Sequence, residues 1–303
     1  MRTPLVRLYI DDAPAEIWLK LESLQPIGSF KLRGAANAIL DAPRSELAGG
    51  VVTTSTGNMA QGVAWMARQL GVPATIVVPD NASQAKLGAV ERMGGRIVRV
   101  PWEDWWAAVE SGSPKEAADD IEGFFVHPVR DEAVMAGNGT IGLELVEQLE
   151  AFDTVLIPWG GGGLTNGVAS ALHALAPHAR VFVCEPESGA PVKAALDGGG
   201  VARPVEFTPS FVDGAGSGSL LPEMWARAKD LVSGSFVVSL EDTAATIRLL
   251  LERERIVAEG AAALPVAAAL AGRAGNGRVV CIVSGGNIDA GRLSEIIAGR
   301  VPD

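Results

Sequence analysis

Lys31 stands in the stretch QPIGSFKLRGA (25–35), framed by Gly28, Ser29, Phe30, Arg33 and Gly34, an unusual setting for a surface charge. An amine that is neutral part of the time, through partial burial or a neighbouring cation, can attack a carbonyl and form an imine. Phe30 can supply apolar cover, and Arg33 lies one turn away if a helix starts at Ser29. Three further motifs follow in order: STGN at 55–58, GGGGL at 160–164 and SGGN at 284–287. GGGGL follows the apolar run TVLIPW and opens LTNGVASALHAL. Consecutive glycines let main-chain N–H groups converge on one anion, and the helix start adds partial positive charge. This is a phosphate cup without the lysine of a Walker loop or the spacing of a dinucleotide fingerprint. STGN ends a strand and begins a helix, so its N–H groups can hold a carboxylate, and Asn58 offers both a donor and an acceptor. SGGN ends the last apolar strand, where open α/β sheets place ligands, and Ser284 is a neutral partner for a heterocyclic nitrogen. Taken singly, each motif has an ordinary alternative: a tight turn, a plain N-cap, or Ser29 capping a helix whose Lys31 is solvated.

The elements that must carry these motifs alternate along the chain. Short β-branched runs at 51–54, 75–79, 96–100, 154–158, 181–184, 235–239 and 279–284 read as strands, most of them nearly continuous in apolar residues, as strands covered on both faces should be. Helical patterns lie between several of them, at 58–70, 83–93, 139–150, 164–176 and 241–256. The alternation predicts an α/β chain with parallel strands and right-handed crossovers. Residues 186–234 are rich in Gly and Pro and read as loops with short helices. Two domains are expected, a large one from 1–48 and 132–303 and a small one from 49–131.

Composition sets the boundaries. The chain has 303 residues, enough for two domains and a substantial core. Its net charge of −11, with no long basic run, argues against nucleic acid, which needs clustered Lys and Arg. Cys184 and Cys281 sit in apolar runs and read as small buried hydrophobes. Residues 1–12 have no targeting character, and the apolar stretch 261–272 is too short to span a membrane and contains Pro265, so a cytoplasmic protein is expected.

Together the four motifs read as the walls of a pyridoxal phosphate site with Lys31 as the Schiff-base lysine. SFKLRGA, STGNMAQGVAWMARQLGVPATIVVP, HPVRDEAVMAGNGTIGLE, IPWGGGGL and SGGN stand in the order in which they recur in the threonine and serine dehydratases. From about Arg2 to Asp289 the chain resembles that family and its relatives serine racemase and hydroxyaspartate dehydratase, the fold-type II, tryptophan synthase β-like pyridoxal phosphate enzymes. The resemblance implies two open parallel-sheet domains with helices on both faces, and a homodimer. It implies that Lys31 carries the cofactor, that Phe30 lies beside its ring, and that Asn58 bonds the ring oxygen. Gly160, Gly161, Gly162, Gly163 and Leu164 would hold the phosphate, and Ser284 would meet the ring nitrogen. Ser55, Thr56, Gly57, Asn58 and Met59 would take the substrate carboxylate, and Gly214 and Glu259 would border the ring. The implied reaction is dehydration and deamination of a β-hydroxy amino acid, with Lys31 as general base and a 2-oxo acid and ammonia as products. Racemisation, a hydroxyaspartate- or phenylserine-type dehydratase and β-replacement are the rival chemistries. A non-catalytic binding protein is disfavoured by the intact motifs.

Departures from the family bear on substrate. Thr56 stands where racemases carry the Ser that works opposite the lysine, so it is a candidate catalytic hydroxyl or a packing residue. Met59 replaces a usual His, Val129 an Asn found in some relatives, and Trp159 is bulky beside the glycine loop. These changes suggest a drier pocket and a substrate of threonine size or larger. Glu185 matches the acidic residue through which several relatives bind a divalent cation, but Pro191 stands where a second carboxylate is wanted, so no metal is expected. Trp102, Trp105 and Trp106 recur at helical spacing and read as small-domain core. His127, His173 and His178 lack metal-ligand spacing and receive no catalytic role.

Overall fold

The computed structural model describes residues 1–82, 84–118 and 121–303, with the main chain alone at 84–86. It divides into two compact units: Met1–Ser29 with Gly139–Asp303, and Phe30–Asn138. The chain opens with β1 (Leu5–Arg7) and β2 (Glu16–Leu21). The second unit follows with α1 (Lys31–Asp41), β3 (Val51–Thr54), α2 (Asn58–Leu70), β4 (Ala74–Pro79), α3 (Gln84–Arg92), β5 (Arg96–Val100), α4 (Trp102–Ser111) and β6 (Phe124–Phe125). Helix α5 (Glu132–Gln148) runs on into the first unit. That unit resumes with β7 (Thr154–Pro158), α6 (Gly163–Leu175), β8 (Arg180–Pro186), α7 (Pro191–Asp197), α8 (Pro222–Ala228), β9 (Gly234–Val238), α9 (Leu240–Leu249), α10 (Gly260–Leu270), β10 (Arg278–Val283) and α11 (Ala290–Ile297).

The Phe30–Asn138 unit holds a four-stranded parallel sheet in the order β5-β4-β3-β6. The other unit holds six strands in the order β1-β2-β10-β7-β8-β9, parallel except for β1, which pairs antiparallel with β2 at one edge. Val280 lies opposite both Trp18 of β2 and Val155 of β7. The predicted strands form within a residue or two of their expected bounds. Strands β1, β2 and β6 carry no clear strand signal in the sequence: β1 and β6 are too short to show a pattern, and EIWLKL is broken by charges at Glu16 and Lys20. The second charge conceals burial, because Lys20 is fully buried.

Helix α10 is apolar on every side because every side is covered: residues 260–269 are all buried. Helix α5 begins seven residues before its predicted start at 139 and shows why AGNGTIGLE is spaced as it is. A Cβ on Gly137 would collide with the Arg33 carbonyl of α1, and one on Gly139 would come 2.9 Å from the Gly167 carbonyl of α6. These glycines let backbones approach where a side chain would hold them apart. That part of the resemblance is therefore a packing motif.

The buried ammonium of Lys20 donates to the Thr3 carbonyl (2.9 Å), to Gln148 Oε1 (2.7 Å) and to the Glu144 carboxylate, tying β2 to α5. Removing one partner of a buried pair strands the other charge. Lys20→Met is expected to lower the unfolding free energy by roughly 3–5 kcal/mol, and adding Glu144→Leu should recover most of it, read from urea midpoints.

Candidate active site

In the four-stranded sheet the chain steps from β3 outward to β4 and β5, while β6 pairs on the other side of β3. Strand order reverses between β3 and β6, the place where an open α/β sheet offers a crevice at its carboxyl ends. Two loops leave those ends, Ser55–Gly57 into α2 and Val126–Arg130. Ser55, Thr56, Gly57 and Asn58 are half-buried, and Ser55 Oγ accepts the Gly57 N–H (3.2 Å). Helix α1 lies close to α2 through Gly62, where a Cβ would meet the Lys31 carbonyl at 3.3 Å. Lys31 is the first residue of α1 and Phe30 its N-cap. Ser29 is not the expected cap; it is buried, and its main chain bridges Gly285 instead. The Lys31 amine is half-buried, lies 5.3 Å from the centre of the Phe30 ring, and donates to the Pro128 carbonyl (3.0 Å) in the loop that leaves β6.

The six-stranded sheet has its own reversal. From β7 the chain moves outward to β8 and β9, and β10 returns on the opposite side of β7. The loops leaving these two carboxyl ends are Trp159–Gly162 and Ser284–Asn287. Gly162 caps α6 with φ +90°, a conformation that side chains other than glycine's rarely adopt, and a Cβ there would come 2.8 Å from Trp159 Cη2. A Cβ on Gly160 would strike the Gly214 carbonyl. Gly163 and Leu164 are buried in the first turn of α6. Ser284 is buried at the end of β10. Beside it the Glu259 N–H donates to the Gly285 carbonyl (3.0 Å), and Glu259 Oε1 lies 2.5 Å from where a Gly285 Cβ would stand. The loop is laced to the chain that leads into Phe30 and Lys31. Gly286 N–H donates to the Gly28 carbonyl (2.9 Å), and Asn287 Nδ2 to the Ile27 carbonyl (2.8 Å). Gly160–Leu164, Gly214, Glu259 and Ser284 thus line one end of one sheet, and Phe30, Lys31 and Ser55–Asn58 one end of the other.

These residues suit pyridoxal phosphate chemically: an amine for an aldehyde, a glycine turn at a helix start for a phosphate, a neutral hydroxyl for a ring nitrogen. Two orphaned hydroxyls support the fit. Thr54 Oγ1 at the end of β3 and Thr165 Oγ1 in the first turn of α6 are buried with no hydrogen-bond partner among the described residues. Buried hydroxyls normally find a partner, and each of these two adjoins one of the loops above, within reach of a ligand held there. The model of the pyridoxal-phosphate dependent enzyme family matches residues 1–285. The chain belongs to that family.

Its relatives narrow the branch. The L-threonine ammonia-lyase of Geobacter sulfurreducens is 38% identical over 285 residues, covering 93% of this chain and 69% of the relative. The processed form of threonine deaminase isoform 2 from Solanum lycopersicum superposes with a TM-score of 0.88 at 31% identity, over 99% of this chain and 83% of that one. Maize serine racemase gives 0.87 at 31%, over 98% and 92%. The enzyme is thus a pyridoxal phosphate enzyme of fold type II.

Several expectations change at the level of side chains. Trp159 does not contribute to a drier pocket. It is 1% exposed, packs edge-on against Trp225 (6.3 Å between ring centroids) and props the glycine loop from beneath. Met59 is also 1% exposed, so its side chain belongs to the core and only its N–H, in the first turn of α2, is on offer to a carboxylate. Glu185 accepts the N–H groups of Val192 (2.8 Å) and Lys193 (2.9 Å) and the hydroxyl of Ser235 (2.5 Å), fastening the start of α7 to β8 and β9. Burial pushes its carboxyl above the usual carboxylate range, against those three bonds. Of the tryptophans, Trp105 packs against the core of its unit, whereas Trp102 and Trp106 are exposed and stack on each other. Cys184 and Cys281 are buried, and burial raises both thiols well above their usual range. Among the described residues no helix is long and apolar enough to cross a membrane, and no cluster of His, Cys, Asp or Glu could hold a metal.

Sequence reasoning gave His127 no role and missed the turn at 127–130, whose one signal is the HPVR tetrapeptide itself. His127 is 7% exposed. Its Nδ1 accepts the N–H groups of Val129 (3.0 Å) and Arg130 (2.9 Å), and Nε2 lies 3.1 Å from the Val109 carbonyl. Burial holds its pKa below 6.5; the charges of Arg130 and Lys31 act in the same direction, while the Val109 bond and Asp131 oppose them. The unfolded chain therefore takes up a proton that the folded ring resists. Stability is expected to fall as pH drops through about 6.5, and a protonated Nδ1 would face two donors. Denaturant titrations at pH 7.5, 6.5 and 5.5 check this, with His127→Asn lacking that component. At the other motif, Gly162→Ala is expected to strain the turn and reduce cofactor retention, read from the visible absorbance of dialysed protein.

Proposed function

We propose that the enzyme eliminates the β-hydroxyl of a β-hydroxy amino acid and releases a 2-oxo acid and ammonia, with threonine or a larger relative as substrate. Ser284 carries this reading: the group buried at the end of β10 is a neutral hydroxyl. Many enzymes of this cofactor place an acid at the ring nitrogen, which makes the ring a stronger electron sink. A serine does not hold that nitrogen protonated by charge. Loss of a β-leaving group as the proton departs is then favoured over a long-lived carbanion. The naming of relatives as threonine ammonia-lyase and threonine deaminase agrees with this choice.

In this proposal Lys31 holds the cofactor, Phe30 covers it, Asn58 bonds its ring oxygen, and Gly160, Gly161, Gly162, Gly163 and Leu164 bind its phosphate. Gly214 and Glu259 border it. Pyridoxal phosphate supplies a carbonyl that captures the substrate amine and a ring that draws electrons from Cα. The N–H groups of Ser55–Met59 orient the substrate carboxylate. The Lys31 amine, once free, removes the Cα proton as general base, and the β-hydroxyl takes a proton from a nearby acid and leaves as water. A second reading, racemisation, draws on Thr56, whose half-buried hydroxyl could return a proton to the face opposite Lys31. We place the enzyme in the cytoplasm as a homodimer acting on a free amino acid.

Lys31→Ala is expected to abolish 2-oxo acid release, and borohydride should bleach the wild-type visible band and leave reduced cofactor on Lys31 by peptide mass. A panel of threonine, serine, hydroxyaspartate and phenylserine tests the substrate class; a clear preference for hydroxyaspartate would end the threonine assignment. Appearance of the D-isomer during turnover would instead favour racemisation.

A further inference from the structure

His127 is the one buried histidine of three, and its bonding allows a single protonation state. The Val109 carbonyl can only accept, so Nε2 carries the hydrogen. Two main-chain donors, Val129 N–H and Arg130 N–H, aim at Nδ1, so Nδ1 is bare. The ring is held edge-on by Phe125, with centroids 6.1 Å apart, and is anchored to α4 through Val109. The two bonds at Nδ1 close a turn around Pro128. Its carbonyl cannot swing away without breaking at least one of them. That carbonyl accepts the hydrogen bond from Lys31 Nζ at 3.0 Å.

We propose that His127 is a positioning residue for Lys31: by fixing the turn at 127–130 it fixes the Pro128 carbonyl, which selects where the free lysine amine rests, one N–H donating to that carbonyl and the lone pair left for the Cα proton. The inference rests on the reading of Lys31 as the amine that takes the Cα proton. A lysine side chain has four flexible carbons and many rotamers. A rigid acceptor at its tip cuts that freedom, and a reacting group displaced by about 1 Å can cost two orders of magnitude in rate. Proline suits the central position, since it has no N–H to satisfy and its φ is preset.

Two substitutions separate positioning from packing. His127→Asn puts an acceptor oxygen near the place of Nδ1 and keeps the turn; His127→Gln offers its polar atoms only toward Val109 and loses the turn. In the holoenzyme, His127→Asn is expected to keep kcat within about threefold. His127→Gln should lower kcat roughly 10- to 100-fold with a smaller change in KM, and should move the pH midpoint of the visible band. Both should still yield reduced cofactor at Lys31 after borohydride. Nitrogen-15 NMR of the wild-type holoenzyme should show His127 protonated at Nε2 and bare at Nδ1; the opposite tautomer overturns the proposal even if His127→Gln fails to fold. Equal losses in the two variants, or a folded His127→Gln within about threefold of wild type, reduce His127 to packing and overturn it alone. Cofactor trapped on a residue other than Lys31 would overturn the underlying reading as well.

Discussion

An open parallel sheet offers a crevice only where neighbouring strands send their connections to opposite faces, and this constraint organises the whole enzyme. The chain makes such a reversal twice, between β3 and β6 and between β7 and β10. Loops leaving three of those four strands carry STGN, GGGGL and SGGN, and the loop leaving the fourth presents the Pro128 carbonyl to Lys31. Two of these loops run directly into helix starts, where unsatisfied N–H groups point outward. Anion-binding capacity is thus built from backbone, and an acidic chain with net charge −11 needs few cations for it.

Rigidity comes from below the loops. Trp159 sits under Gly162, the Gly214 carbonyl lies against Gly160, and Glu259 lies against Gly285. Each of these glycines admits a neighbour that a side chain would exclude. Buried charges follow the same economy of partners. Glu185 is satisfied by two N–H groups and a hydroxyl, and Lys20 by a carbonyl, an amide and a carboxylate. A carboxylate bonded three times in this way serves the fold.

The sequence exposed the central strands because each is covered on both faces and so is continuously apolar, as in VVTT and TVLIP. It exposed the motif loops because glycine at a strand–helix junction has few other uses. It concealed β2, where Lys20 looks like surface. It misdirected at Trp159, since a large residue beside a loop lies above or beneath it with equal local logic. His127 was passed over for a related reason. Its significance lies in two main-chain donors two and three residues later and in a carbonyl on α4, none of which a residue type announces.

The residue types, their order along the chain and the alternation of strand with helix were settled by the sequence alone, because covalent neighbours and the burial of continuous apolar runs leave little choice. That was enough to reach the cofactor family and to single out Lys31. Which atom the Lys31 amine meets was decided only in three dimensions. One acceptor, the Pro128 carbonyl, lies 97 residues away, in the loop that leaves a strand of two residues whose place in the sheet depends on pairing with β3. A hydrogen bond over that separation is a product of sheet order, and sheet order is a property of the packed whole.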